Sequence, residues 1–223
     1  MRFRAAPVAL AGLLLLVAAP ASSLTAASAP SARVGNPPAL PRVTLISDSV
    51  AGSISFDIGA QAILSQGVDL FLEPGEGRRL GGDDPPGAIA PPTALQLIPA
   101  LGSELGPTVI MSVGYNDAFG QYQQNVDAAV AALHAAGVEH ILWLTLRVTP
   151  DHTSYLAMNT AIAAAAAQDP AITVVDWNAY AGDHPEWFQS DGVHLTGDGP
   201  RALASLLHAS LVQLGIPGSP ASG

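Results

Sequence analysis

Three short polar segments contain the side chains that an acyl-transfer reaction requires. Ser49 lies in the segment SDS, Asn116 lies in GYND, and Asp191 precedes His194 in DGVH. A carboxylate three residues ahead of an imidazole can accept from its Nδ1–H, which leaves Nε2 to deprotonate a serine hydroxyl. An asparagine amide can donate to the oxyanion that forms when a serine attacks an ester carbonyl. These residue types therefore suit covalent catalysis by a serine.

Each segment taken alone also has a purely structural interpretation. Ser49 could cap a helix, Asn116 suits a turn, and Asp191 could form an Asx turn beside a surface histidine. A metal site made of His184, Asp191 and His194 is conceivable, but the spacing fits no closed zinc pattern. The chain has no cysteine and all eight of its basic residues are arginine, which excludes thiolate chemistry and a Walker A loop.

The composition indicates one acidic globular domain. The 223 residues are 49% hydrophobic and carry a formal net charge of -10, which gives enough apolar material for a packed core and argues against disorder. The arginines are scattered along the chain, so no basic stripe exists to meet a phosphate backbone. Nucleic acid is therefore not expected as a partner.

The first residues have the pattern of an export signal. A short positive stretch precedes an apolar run over 5–19, which is shorter than the roughly 20 residues that a membrane span needs. We predict a signal peptide over 1–29 with cleavage within 21–32, a Pro/Ser/Ala-rich linker over 30–41, and a flexible tail over 216–223. The mature protein is expected to be secreted, with no stable membrane span.

The domain over 42–215 is predicted to be an α/β protein. Five runs are rich in β-branched and apolar residues, and most are apolar throughout, as in strands buried on both faces of a parallel sheet. Helical stretches alternate with them, which predicts a three-layer α/β/α sandwich of flavodoxin-like type with a five-stranded parallel sheet. Ligands of such sheets bind at the carboxyl ends of the strands. The predicted strands are 43–46, 68–72, 108–113, 140–146 and 172–176, and the helices are 53–65, 92–105, 125–136, 153–168 and 200–214.

Taken together, these motifs resemble those of the SGNH/GDSL hydrolase superfamily, in kind and in order, over about residues 43–214. The resemblance implies the SGNH hydrolase fold, with Ser49 as nucleophile, His194 as general base and then acid, and Asp191 orienting His194. It also implies an oxyanion hole made of the Ser49 N–H, the Gly77 N–H and the Asn116 amide. No metal or organic cofactor is expected. The family's Gly-Asp-Ser is Ser-Asp-Ser here, so a side chain stands where the family has none.

The glycine of the oxyanion hole is the assignment with the most alternatives. The Gly- and Pro-rich loop over 73–92 offers Gly75, Gly77, Gly81 and Gly82. We choose Gly77 because the sequence GRR resembles the glycine-arginine step of extracellular members that act on carbohydrate O-acetyl groups. The loop as a whole is expected to lie at the site edge and to set specificity.

Four further side chains are weighed as contacts of the site. Tyr115, His184 and Trp187 are candidates for the substrate pocket, although His184 and Trp187 could instead be packed aromatics at its rim. Arg147 follows a predicted strand and could contact a polar substrate or form an ion pair, of which the ion pair is expected.

The resulting expectation is a monomeric secreted serine esterase that acts on a small-molecule or carbohydrate ester, including O-acetyl carbohydrate. An O-acyltransferase or deacetylase of cell-wall or extracellular polysaccharide would use the same residues. A protein of another class, a non-catalytic carbohydrate-binding protein on an inactive hydrolase scaffold, is the remaining alternative.

Overall fold

The structure, a computed structural model, describes residues 32–34, 40–83 and 89–217. The predicted signal peptide lies outside these ranges, as do most of the predicted linker and all but the first two residues of the predicted tail. Within the described ranges, no helix has both the length and the apolar character that crossing a bilayer requires.

A sheet with five parallel strands forms the centre of the domain, as the sequence predicts. The strands run in the spatial order β3-β2-β4-β5-β6. Every residue of β4 is buried, which explains why this strand reads as a continuous apolar run and not as an alternating pattern. The strands are β2 (Arg42–Ser47), β3 (Asp69–Pro74), β4 (Thr108–Ser112), β5 (His140–Leu144) and β6 (Ile172–Val175).

A sixth strand extends the sheet at one edge. Residues Ala32–Val34 form β1, which pairs antiparallel with β3 so that Ala32 lies opposite Leu72. This strand falls within the stretch that was predicted to be only a linker. The free N–H and C=O groups of an edge strand can pair with any short extended segment, and such pairing leaves no hydrophobic pattern in the sequence.

Helices lie on both sides of the sheet and bury their apolar faces against it. On one side α2 packs against α7, and on the other α3, α4 and α5 pack in a row. The helices are α1 (Ser49–Gly52), α2 (Ile58–Leu64), α3 (Ala94–Leu101), α4 (Phe119–Ala135), α5 (Tyr155–Gln168), α6 (Trp177–Tyr180) and α7 (Gly199–Gln213). Short 3-10 turns occupy Ser53–Phe56, Gly102–Leu105 and Pro185–Trp187.

The parallel sheet brings distant parts of the chain to one edge. Ser47 of β2 pairs with Pro74 of β3 on one side and with Ser112 of β4 on the other. The segments that follow these three strands contain Ser49, the glycine-rich loop and Asn116. They therefore emerge side by side at the carboxyl edge, where ligands of such sheets bind.

Candidate active site

Ser49 begins the first helix immediately after the central strand β2. The preceding residue, Asp48, caps this helix by accepting a hydrogen bond from the Val50 N–H at 3.0 Å. Asp48 is fully buried, and burial raises the pKa of its carboxyl to about 7. Because Asp48 caps the helix, the hydroxyl of Ser49 is not used as a cap and reaches another partner.

That partner is the imidazole of His194, which completes a continuous chain of hydrogen-bonding side chains. Ser49 Oγ lies 3.0 Å from His194 Nε2, and His194 Nδ1 lies 2.7 Å from Asp191 Oδ2. A carboxylate oxygen can only accept, so Nδ1 carries the proton and Nε2 is free to accept from the serine hydroxyl. The structure thus brings together three side chains that are up to 145 residues apart in sequence.

The carboxylate of Asp191 is held in its ionised form. Its other oxygen, Oδ1, accepts from the Val193 N–H at 2.8 Å and from the His194 N–H at 3.0 Å. Desolvation raises the pKa of Asp191, but these bonds and the one from the His194 ring outweigh it and lower the pKa to about 2. The same turn therefore positions the carboxylate and keeps it charged at neutral pH.

Asn116 and Asp117 link the end of β4 to the loop that follows β3. The Asn116 side-chain amide donates to the Arg78 carbonyl at 3.2 Å. Asp117 accepts from the Leu80 and Gly81 N–H groups at 2.8 Å and 3.2 Å, and burial raises the pKa of Asp117 to about 6. These contacts fix the loop beside Asn116, whose side chain has a second N–H available for a ligand.

The four candidate glycines of this loop differ in what their backbone N–H groups do. The Gly75 N–H donates to the Ser47 carbonyl at 3.0 Å, and that of Gly81 donates to Asp117. Gly77 has φ +73 and occupies the third position of a turn closed by the Arg78 N–H on the Gly75 carbonyl at 2.9 Å. The Gly77 N–H makes no hydrogen bond to any residue that the structure describes.

A cleft of about 210 Å³ opens beside the Ser49 hydroxyl. Tyr115 lines it, as predicted, whereas Gly77 does not. The Tyr115 hydroxyl accepts from the Arg147 N–H at 2.8 Å, and burial raises the pKa of the Tyr115 phenol. The lining residues are Ser49, Tyr115, Asn116, His152, Tyr155, Asp191, Val193 and His194.

Two aromatic residues of the cleft, Tyr155 and His152, were not predicted from the sequence. Tyr155 packs edge-on against Tyr115 with ring centroids 5.1 Å apart, and His152 stacks on Tyr155 at 5.3 Å. Both residues follow β5, and their position after a strand at the carboxyl edge of the sheet was the signal that could have found them. Their segment was instead interpreted only as the start of a helix.

His184 and Trp187, the other two candidates for the substrate pocket, lie outside the set of residues that line this cleft. Their rings stack at 3.8 Å, and Trp187 stacks in turn against the buried Trp177 at 6.0 Å. His184 Nδ1 lies 2.8 Å from a carboxylate oxygen of Glu186, and the described residues contain no group of three or more histidine, aspartate or glutamate side chains that could hold a metal ion. Both aromatics pack in a stack of their own because Trp177 offers them a large apolar face.

Arg147 also differs from its prediction. Within the described residues it forms no ion pair. Its Nη1 donates to the Gly192 carbonyl, and its guanidinium carbon lies 3.9 Å from the centroid of the Phe188 ring. The side chain therefore stabilises the loop between Phe188 and His194.

Comparison with solved structures identifies the fold. The C-terminal catalytic domain of peptidoglycan O-acetyltransferase A from Streptococcus pneumoniae, solved with a methylsulfonyl adduct, superposes with a TM-score of 0.59 and 23% identity. The alignment covers 78% of this chain and 92% of that domain. A lipase/acylhydrolase from Enterococcus faecalis gives a TM-score of 0.61 at 15% identity, covering 81% of this chain and 100% of that one. The chain has the SGNH/GDSL hydrolase fold.

Comparison of sequences finds a similarity over part of the chain. Over 102 residues the chain is 32% identical to the O-acetyltransferase OatA of Staphylococcus aureus. That alignment covers 46% of this chain and 16% of the length of OatA. No family model matches the chain. The predicted SGNH hydrolase fold is confirmed by the solved structures.

Proposed function

We propose that this protein cleaves or transfers short acyl esters by covalent serine catalysis. The observation that carries the proposal is the hydrogen-bonded chain from Ser49 Oγ through His194 to Asp191 at the mouth of a cleft. A serine, an imidazole and a carboxylate in this arrangement have the geometry of nucleophile, base and orienting group.

The reaction proceeds in two halves. In the first, Ser49 Oγ attacks the ester carbonyl carbon while His194 Nε2 takes the hydroxyl proton. The tetrahedral intermediate collapses, its C–O bond to the alcohol breaks, and the departing alcohol oxygen receives that proton. In the second, His194 deprotonates water or another alcohol, which attacks the acyl carbon, and Ser49 Oγ leaves and regains its proton.

Three donors are proposed to stabilise the oxyanion of each intermediate: the Ser49 N–H, the Gly77 N–H and the Asn116 amide. The hydrogen bonds of the loop support Gly77 over Gly75 and Gly81, because the N–H groups of those two glycines are already used inside the protein. Gly77 is preferred to Gly82 because it adjoins Arg78, whose carbonyl accepts from the Asn116 amide. The position of the Asn116 amide beside Arg78 places it next to the same turn. Mutation of one such donor typically costs about 10²–10³ in rate.

The size of the cleft supports a short acyl group. Pockets for drug-sized ligands enclose about 300–1,000 Å³, whereas this cleft encloses about 210 Å³. An acetyl group is the acyl group that we propose, since the relatives with similar sequence are named O-acetyltransferases. We further propose that the protein is a monomer that acts on a small-molecule or carbohydrate ester. We also propose that it acts outside the cytoplasm, a location that the predicted signal peptide over 1–29 supports.

Transfer to a carbohydrate hydroxyl is the second candidate. It is favoured by the sequence likeness to OatA of Staphylococcus aureus. It is also favoured by the structural likeness to the Streptococcus pneumoniae domain, which is named a peptidoglycan O-acetyltransferase. Hydrolysis and transfer differ only in whether water or a sugar hydroxyl reaches the acyl-enzyme. Addition of an oligosaccharide acceptor during turnover distinguishes them, because transfer yields an O-acetylated sugar and hydrolysis yields acetate.

Hydrolysis of an aryl acetate tests the proposal. The purified protein should release the phenol, Ser49→Ala should not, and Ser53→Ala should keep wild-type activity, since the Ser53 hydroxyl bonds only to the Val50 carbonyl. Equal rates in the wild type and Ser49→Ala would refute the proposed nucleophile. The absence of activity with every acyl ester and acceptor would favour a non-catalytic carbohydrate-binding protein.

A further inference from the structure

One side chain from the segment that follows β5 contacts the loop that contains Asp191 and His194 at two places. Arg147 Nη1 donates to the carbonyl of Gly192, a residue 45 positions away in sequence that lies between Asp191 and His194. The guanidinium group also covers the ring of Phe188 at 3.9 Å. Phe188 begins the loop and pairs with Leu195 at its end through an isolated β-bridge.

The other hydrogen bonds of this loop are mostly local. The Gln189 N–H donates to the His194 carbonyl at 2.8 Å, and the Gly192 N–H donates to the Gln189 carbonyl at 2.9 Å. These bonds shape the loop but do not tie it to the sheet. The contact from Arg147 is different, because it joins the loop to the segment that follows β5.

The shape of the loop is adapted to this contact. Gly192 has φ +69, a conformation that favours glycine. A Cβ at this position would lie 3.1 Å from Arg147 Nη1, so the guanidinium packs directly against the glycine backbone. The Arg147 Nε is buried and makes no hydrogen bond within the described residues. Arg147 therefore contacts the loop through its Nη1 hydrogen bond and through the Phe188 ring.

The backbone of Arg147 is itself firmly placed. Its N–H donates to the Tyr115 hydroxyl at 2.8 Å. The flanking N–H groups of Leu146 and Val148 donate to the side chains of Asn159 and Asn178, each at 2.7 Å. Three consecutive amides are thus bound by side chains, which makes this segment a rigid support for the loop.

We infer that Arg147 is a positioning residue for the reaction, acting through Gly192 to keep His194 Nε2 within hydrogen-bonding distance of Ser49. This inference rests on the proposed function. Arg147 does not line the cleft, so its effect is on the placement of the base and not on substrate contact. A misplacement of about 1 Å at a catalytic group can cost about 10²-fold in rate.

Two substitutions separate the donor from the packing. Arg147→Met keeps an unbranched apolar stem over Phe188 but removes the donor, and Arg147→Lys keeps a cationic donor without the planar fork. We expect Arg147→Met to lower kcat on an aryl acetate by about 10²-fold with little change in KM. Arg147→Lys should recover part of that loss. Arg201→Met is the control, because Arg201 is an exposed arginine that pairs with Asp57 and Asp198.

The controls make each outcome decisive. The melting temperature and the folded fraction are measured for every variant, and kcat is expressed per folded molecule. Wild-type kcat in a folded Arg147→Met protein, or a rise in KM without a fall in kcat, would overturn the inference. If Arg147→Met does not fold, the same measurement is made on the folded Arg147→Lys protein. Wild-type kcat in that variant would also overturn the inference that Arg147 positions His194. Inactive wild-type protein would instead contradict the proposed function itself.

Discussion

At the scale of single residues, the carboxylate of Asp191 determines how the imidazole of His194 is used. One oxygen accepts from Nδ1 at 2.7 Å while the other binds two backbone N–H groups of the same turn. The imidazole therefore has one favoured tautomer and one favoured orientation. Its Nε2 faces the Ser49 hydroxyl at 3.0 Å.

Replacing Asp191 by asparagine should remove this control while keeping the shape of the side chain. The amide can donate to Nδ1 and so favour the wrong tautomer, and we expect kcat on an aryl acetate to fall by about 10⁴-fold. Asp198→Asn is the matched control, since that carboxylate is exposed and forms only a long ion pair at 3.5 Å. Full activity in Asp191→Asn would show that this carboxylate does not orient the base.

Asn116→Ala should lower kcat by about 10²–10³ with little effect on KM, because the amide is proposed to bind a charge that exists only in the intermediates. The comparison is with Gln123→Ala, which removes an exposed carboxamide that donates to Asp127. Steady-state hydrolysis of an aryl acetate measures both constants. A rise in KM at unchanged kcat would place Asn116 in ground-state binding.

The sequence identified those side chains whose chemistry has a recognisable spacing. Ser49, Asn116, Asp191 and His194 lie in short motifs, and the structure brings them to one edge of the sheet. His152 and Tyr155 were missed because an aromatic wall has no fixed pattern in a sequence. The choice among the loop glycines depends on the structure for a different reason. Every glycine has the same backbone N–H, and the turn that it occupies decides whether that N–H is free to bind a ligand.

At the scale of elements, the start of α1 links catalysis to pH-dependent stability through Asp48. Burial raises the pKa of this carboxyl from 3.8 to about 7. Between these values the unfolded chain releases a proton that the folded protein retains. The stability that Asp48 contributes is therefore complete below its unfolded pKa and is lost as the pH rises through its folded pKa.

Asp48→Asn should remove this dependence. The amide oxygen can still accept from the Val50 N–H, so the cap remains. We expect the free energy of unfolding of the variant minus that of the wild type to become more positive as the pH increases from about 4 to about 7, because only the wild type loses stability over that range. Urea unfolding across that range measures it, with the exposed Asp183→Asn as control. A difference that does not change with pH would mean that Asp48 is ionised throughout.

The turn between β4 and α4 requires glycine at position 114, because no side chain fits there. Gly114 has φ +149, and a Cβ there would lie 2.7 Å from the Tyr122 hydroxyl and 2.9 Å from a Leu146 methyl group. Gly114→Ala should destabilise the protein by about 1–3 kcal/mol, since it strains the backbone and displaces Tyr122 from the Val113 carbonyl. Gly120→Ala, in open space in α4, should be neutral or stabilising. Equal melting temperatures for the two variants would contradict this account.

The elements that the sequence predicted best are those with a continuous hydrophobic signal. All five parallel strands were located from their apolar runs, with ends within a few residues. The helix predicted over 53–65 is divided instead, because the Asp57 side chain caps α2 at the Ala60 N–H. Helix α4 begins at Phe119 and not near 125, because its first three residues are exposed and only the buried Tyr122 extends the apolar face ahead of Val126.

At the scale of the whole molecule, the fold brings the candidate site together, and we expect the dimensions of the cleft to limit the size of the acyl group. Because the cleft encloses about 210 Å³ and has Tyr115 and Tyr155 among its lining residues, longer acyl chains should fit poorly. We expect kcat/KM for aryl esters to fall by roughly tenfold or more between acetyl and decanoyl. A rate that increases with chain length would indicate a lipid-sized site and would contradict this assignment.

Covalent labelling shows whether Ser49 is an activated nucleophile. The purified protein is treated with methylsulfonyl fluoride, from which an activated serine displaces fluoride, and the intact mass and the modified peptide are determined. The account predicts one methylsulfonyl group, located on Ser49, in the wild type and none in Ser49→Ala. An unmodified wild-type protein, or the same modification in both proteins, would show that Ser49 is not an activated nucleophile.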